Sequence, residues 1–161
     1  MDIYKFAMQM EKDGESYYRN SAQKTRNTGL KNILNLLADA EAQHFGILQK
    51  MKHNEKAQTT HANILTDVKN IFVKMKEEMD TLNVEVAEIE IYKRAQEIEV
   101  KSQNFYLEKA ENVKDELQRE IFLKIAEEEK KHYFILENII DFVSRPYNWL
   151  ENNEWYHLEE Y

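Results

Sequence analysis

The sequence predicts an all-α protein, an antiparallel four-helix bundle with one long crossover connection and a short C-terminal extension. Three observations carry that expectation. Only three glycines and one proline occur in 161 residues, while 32% of the chain is charged, a composition that suits long helices and argues against a turn-rich β fold. Four long stretches space their apolar residues three and then four apart, which keeps one face of a helix inward. The chain also repeats itself without a gap: a shift of 88 positions lays Ile3-Tyr4-Lys5 on Ile91-Tyr92-Lys93, Glu11 on Glu99, Tyr18 on Tyr106, Ala38 on Ala126, Glu41 on Glu129 and His44 on His132. The length fits one domain, 1–161, with helix pairs at 2–56 and 84–144 as the repeat, a crossover at 57–83 and an aromatic tail at 145–161.

The first helix is expected from Asp2 to about Thr25, with Ile3, Phe6, Ala7, Met10, Glu11, Gly14, Tyr17, Tyr18 and Ala22 facing inward. Asn27-Thr28-Gly29 reads as a stop and a turn, and so short a connection implies an antiparallel neighbour. That neighbour, roughly Leu30 to Lys56, turns Ile33, Leu34, Leu37, Ala38, Glu41, His44, Phe45, Leu48 and Met51 inward. Residues 57–83 have no counterpart in the repeat. Thr66-Asp67 reads as the start of a short helix through Val68, Ile71, Phe72 and Met75, long enough to carry the chain across the bundle and set the third long helix parallel to the second. The third long helix is expected from Val84 to Asn112 and the fourth from Lys114 to Ser144, ended by Pro146. Tyr147, Trp149, Trp155, Tyr156 and Tyr161 are too many aromatics for a free end, so the tail is expected to fold over the bundle or against another subunit.

Inside these apolar stripes sit polar residues. Glu41-Ala42-Gln43-His44 and Glu129-Lys130-Lys131-His132 each place a carboxylate and an imidazole on one helical face. In both copies a Glu, Glu11 or Glu99, precedes this pair by 30 residues and is followed seven later by a Tyr. Assembled in one bundle, Glu11, Glu41, His44, Glu99, Glu129 and His132 meet at one depth. One Glu from each of two helices and a Glu-x-x-His from each of the other two is the ligand plan of di-iron and di-manganese carboxylate bundles. Four ionised carboxylates match the charge of two divalent cations, and without cations they would repel one another in an apolar interior until some took protons. Such ligands accept iron, manganese or zinc.

Other polar residues are weaker candidates. Tyr18 and Tyr106, two turns beyond Glu11 and Glu99, either hydrogen-bond a ligand carboxylate or are core tyrosines satisfied elsewhere, and the sequence leaves both readings open. His53, His61 and His157 lack an acidic partner at ligand spacing and read as surface or structural. Glu128, four residues before His132, reads as an exposed helix charge rather than a group that orients that histidine. Met8, Met10, Met51, Met75 and Met79 read as core filler. The formal charge of -8 argues against a nucleic-acid surface, and the lack of cysteine excludes disulfides, thiolate zinc sites and iron–sulfur clusters. With no signal-like start and no apolar run of about 18 residues, a soluble, cytoplasmic protein is expected.

At these residues the chain resembles the rubrerythrin-type members of the ferritin-like superfamily. The likeness spans about residues 1–144. Glu11 through Tyr17-Tyr18 and Glu99 through Phe105-Tyr106 match the family's Glu-x6-Tyr helices, and Glu41-x-x-His44 and Glu129-x-x-His132 match its ligand pairs. The resemblance implies two iron ions bridged by Glu41 and Glu129, with Glu11 and Glu99 as terminal carboxylates and His44 and His132 one on each metal. It implies a di-iron oxidoreductase that reduces peroxide or dioxygen, with a ferritin-type ferroxidase or storage protein, or a metal-held scaffold, as the alternatives. The family carries a second Glu three residues after the third-helix ligand, where this chain has Ser102, and adds a Cys₄ rubredoxin domain, for which this sequence has no cysteine. The redox-dependent ligand exchange and efficient peroxidase turnover tied to that Glu therefore do not carry over. Electrons would come from an external donor such as a rubredoxin-like carrier, and a monomer or homodimer is expected rather than a cage.

Overall fold

A computed structural model of the chain describes residues 2–58, 63–78 and 88–151. Among these, six helices form and no strand: α1 (Ile3–Lys24), α2 (Thr28–Lys52), α3 (Ile64–Glu77), α4 (Ile89–Asn112), α5 (Glu116–Ser144) and α6 (Pro146–Glu151). The starts are set by side chains that satisfy otherwise unpaired amide groups. Asp2 accepts from the Tyr4 and Lys5 amides, Asn27 from Leu30, Asn63 from Thr66, and Asp115 from Leu117 and Gln118.

Contacts across the bundle give the helix directions. Tyr18 of α1 meets Glu99 of α4 while Glu11 meets Tyr106, so α1 and α4 are antiparallel. His44 of α2 meets Glu129 of α5 while Glu41 meets His132, so these two are antiparallel as well. The link between α1 and α2 is too short for anything but a reversal, and α2 and α4 therefore run parallel. This is the expected all-α, ferritin-like bundle with a crossover, and α3 lies in that crossover.

Several local expectations change. Asn27 starts α2 rather than stopping α1 in a turn, and Thr28 and Gly29 are helical. Gly29 is small for a different reason: a Cβ there would lie 2.7 Å from Met75 Cγ, so the glycine lets α3 lie close against the first turn of α2. α2 ends at Lys52 rather than Lys56, and α3 is capped by Asn63 ahead of the expected Thr66. Phe6, expected inward, is 45% exposed and packs against Phe105 instead, with tilted rings whose centroids are 5.3 Å apart. Residues 84–87, at the expected start of the third long helix, lie outside the described residues, as do Met79, His61 and His157.

Pro146 ends α5 and, because its fixed φ suits a first helical position, opens α6. α6 inserts Trp149 between Phe72 of α3 and Phe142 of α5, at ring-centroid distances of 4.6 and 5.8 Å. The start of the aromatic tail thus packs on the bundle as expected. Trp155, Tyr156 and Tyr161, like the side chain of Tyr147, lie outside what the structure describes. The apolar interior falls into two clusters. One, built around Leu30, Leu37, Phe72, Tyr92, Leu136 and Trp149, is closed by α3 and α6. The other joins Ala7, Leu48, Tyr106, Phe122 and Ile125 toward the opposite end. Along every long helix, the six glutamates and histidines singled out above, Glu11, Glu41, His44, Glu99, Glu129 and His132, fall between these clusters. No described helix is long and apolar enough to cross a membrane.

Candidate metal centre

Each of the four long helices contributes at the layer between the two apolar clusters because its polar residue occupies a position in the inward stripe. Glu11, Glu41, His44, Glu99, Glu129 and His132 are each at most 3% exposed. The structure brings all six together in two overlapping groups. Glu11, Glu41, His44 and Glu129 form one; Glu41, Glu99, Glu129 and His132 form the other; within each, ligand atoms lie within 4.8 Å of one another. Glu41 and Glu129 belong to both.

The imidazoles flank the cluster with nearly parallel rings, 6.1 Å between centroids. His44 turns Nδ1 inward, 3.0 Å from Glu129 Oε1 and 3.4 Å from Glu11 Oε2. His132 Nδ1 lies 3.2 Å from Glu41 Oε1 and 3.3 Å from Glu99 Oε1. The two tyrosines left open by the sequence both serve the site, each reaching across to the other half of the repeat. Tyr18 Oη donates to Glu99 Oε1 at 2.5 Å, and Tyr106 Oη donates to Glu11 Oε1 at 2.6 Å. Burial and then the adjacent Glu99 or Glu11 charge hold both phenols well above their ordinary pKa, so they stay protonated donors.

What remains is a set of buried atoms with no hydrogen-bond partner: Glu11 Oε2, Glu99 Oε2, both oxygens of Glu129, and His44 Nδ1. Buried polar groups are almost always satisfied, so five such atoms facing one small space fit cations that would coordinate them. The protonation pattern agrees. Burial, followed by the charges of Glu11, Glu129 and Glu99, raises the Glu41 carboxyl well above its usual range. Burial, then Glu99 and Glu11, does the same to Glu129. Burial pushes Glu11 up too, but the His44 charge and its hydrogen bonds leave it lowered. Burial lowers His44, and Glu11 more than reverses this, so its pKa stands well above the ordinary imidazole value. Protons thus stand in where cations would neutralise the same carboxylates.

Two site features escaped the sequence reading. Glu128 is no free surface charge: its side chain is 25% exposed and it bonds Nε2 of His44, across the bundle, rather than His132 on its own helix. Burial raises its carboxyl, but the His44 hydrogen bond and charge outweigh this and hold it below the usual range. Gly14 is the other: a Cβ there would come within 3.1 Å of Glu41 Oε2, so the glycine makes room for that carboxylate. A glycine inside a helical stripe, with no turn nearby, was the available signal. His53 is exposed, as expected.

An all-helical bundle with a buried layer of four carboxylates and two imidazoles has the side-chain plan of carboxylate metal bundles and is compatible with a metal site in that layer. The rubrerythrin family model matches residues 2–140, and the chain belongs to that family. Comparison with curated proteins and with solved structures returned no match.

Proposed function

We propose that the chain binds two metal ions in this layer and acts as a di-iron oxidoreductase, reducing peroxide or dioxygen with electrons from an external carrier. Glu11 and His44 would hold one ion, Glu99 and His132 the other, and Glu41 and Glu129 would serve both. The observation that carries the reading is the overlap of the two ligand groups at Glu41 and Glu129. The pattern of unpaired oxygens supports the same division. Glu11 and Glu99 each commit Oε1 to a tyrosine and keep Oε2 unpaired, as one-metal ligands would, whereas Glu129 keeps both oxygens unpaired, as a bridge would; Glu41 instead meets His132 Nδ1 through Oε1. A pair of irons held by these residues would supply the two electrons an oxidant needs, one from each metal, and would be re-reduced by the external donor.

The residues themselves set the conditions for that chemistry. Tyr18 and Tyr106 orient the terminal carboxylates, and the two apolar clusters on either side exclude bulk water. Membership of the rubrerythrin family supports the redox assignment. The test is anaerobic loading with ferrous iron, followed by peroxide and then a reduced rubredoxin-like carrier. Retention of two irons per chain, ferric absorption after peroxide, and its loss on adding the carrier are expected. Bound iron that never cycles would overturn the enzyme reading, and a large shell by light scattering that retains many irons per chain would replace it with iron storage.

A further inference from the structure

The 88-residue repeat preserves the six residues of the centre and both tyrosines, but it breaks at the residue just ahead of each Glu-x-x-His pair. Ala40 precedes Glu41, and Glu128 precedes Glu129. The consequence falls on His44. Its Nδ1 faces the cluster, and its far nitrogen, Nε2, is held by the Glu128 carboxylate from α5. The related position on α2, which would have to serve His132, is an alanine with no acceptor. We propose that Glu128 is a positioning residue that makes the two metal positions unequal, so that a divalent cation is held more tightly at Glu11 and His44 than at Glu99 and His132. The inference rests on the two-metal reading above.

The physical grounds are those of any imidazole ligand gripped from behind. A carboxylate on Nε2 keeps the proton there, which leaves the Nδ1 lone pair directed at the metal and makes that nitrogen a stronger donor. The bond also joins α2 to α5, so the ring cannot swing away when the cation leaves. His44 is only 2% exposed, and Glu128 reaches it from a partly covered position, so water screens the interaction little. An alanine at position 40 provides none of this from α2. The centre is therefore symmetric in its inner ligands and asymmetric in what stands behind them.

The test is titration of the metal-free full chain with Co²⁺, followed by calorimetry and by the visible spectrum of the bound ion, in the wild type, Glu128→Ala and Glu128→Gln. Wild type should take up two ions in two steps, the first at least about tenfold tighter. Glu128→Ala should weaken the tight step by about 10- to 100-fold and leave the weak step in place, so that the two merge. Glu128→Gln, which keeps an acceptor but no charge, should fall between. Two equal steps in the wild type, unequal steps untouched by Glu128→Ala, or equal weakening of both steps would each overturn the proposal while leaving two metals bound. Uptake of fewer than two ions by the wild type would instead overturn the two-metal reading itself. A thermal melt of each metal-free variant, expected to stay cooperative with a modest loss of stability from the missing bond to His44, shows that the change in the tight step is not a loss of fold.

Discussion

The helix pairs α1–α2 and α4–α5 present the same side chains to the centre and surround them differently. Each supplies a Glu, a Glu-x-x-His and a tyrosine, and each tyrosine is used by the other pair: Tyr18 by Glu99, Tyr106 by Glu11. Where the first pair has Gly14, pressed by Glu41, the second has Ser102; where the second has Glu128, gripping His44, the first has Ala40. The repeat is kept at the six residues of the cluster and at the two tyrosines that donate to it. It is broken one step further out. This division shows that the inner layer is constrained as a unit, while the residues behind it differentiate the two halves.

The most severe way to break the comparison is to remove a carboxylate common to both groups. Glu41→Ala or Glu129→Ala should abolish binding of paired metals altogether, as metal analysis after gel filtration would show. Two adjacent, fully occupied metals in either variant would contradict the sharing of these residues. Next come the tyrosines. Tyr18→Phe and Tyr106→Phe each leave a buried carboxylate oxygen without its donor, at a stability cost of about 1–3 kcal/mol in chemical denaturation. Because the donors cross between halves, Tyr18→Phe should weaken the metal position of Glu99 and His132, and Tyr106→Phe that of Glu11 and His44, each by about 10- to 100-fold.

A subtler contrast lies in Gly14 and Ser102. Gly14→Ala gains about 0.5–1 kcal/mol of helix propensity, which the 3.1 Å approach of its Cβ to the buried Glu41 Oε2 offsets in the metal-free fold. The added methyl, 3.1 Å from Glu41 Oε2, should at the same time displace that carboxylate and weaken metal binding. Weaker metal binding with little change in metal-free stability is the expected result. Ser102 already has a Cβ, so Ser102→Ala adds no bulk and serves as the control.

The smallest effect is on the pH profile. Glu41 and Glu129 are raised in the metal-free fold, by burial first, and His44 is raised against its burial by Glu11. All three bind more protons folded than unfolded, so the metal-free protein should lose stability as pH rises from about 5 to about 8. Glu11 and Glu128 are lowered and act in the opposite sense, but their window lies at and below the unfolded carboxyl value of 4.5. Metal binding displaces the protons and should remove the decline. Thermal unfolding of metal-free and loaded protein across that range reads the difference.

Much of this was legible in the sequence because it is periodic. Apolar spacing gave the four long helices, and the 88-residue shift singled out the six residues that meet in the core. The misses share one cause: contacts across the chain that helical periodicity does not encode. Helical spacing sets Glu128 beside His132 on its own helix, but its partner His44 lies on α2. Gly29 read as a turn because glycine often ends helices, whereas the reason for it is Met75 on the crossover helix. Phe6 matched the stripe yet sits at its edge, where a ring on α4 rather than the core receives it.

The most direct test is anomalous scattering from a crystal of the chain loaded with ferrous or manganous ion. Two peaks should lie between Glu41 and Glu129, one beside Glu11 and His44 and the other beside Glu99 and His132. A single peak, or peaks away from these six side chains, would contradict the account.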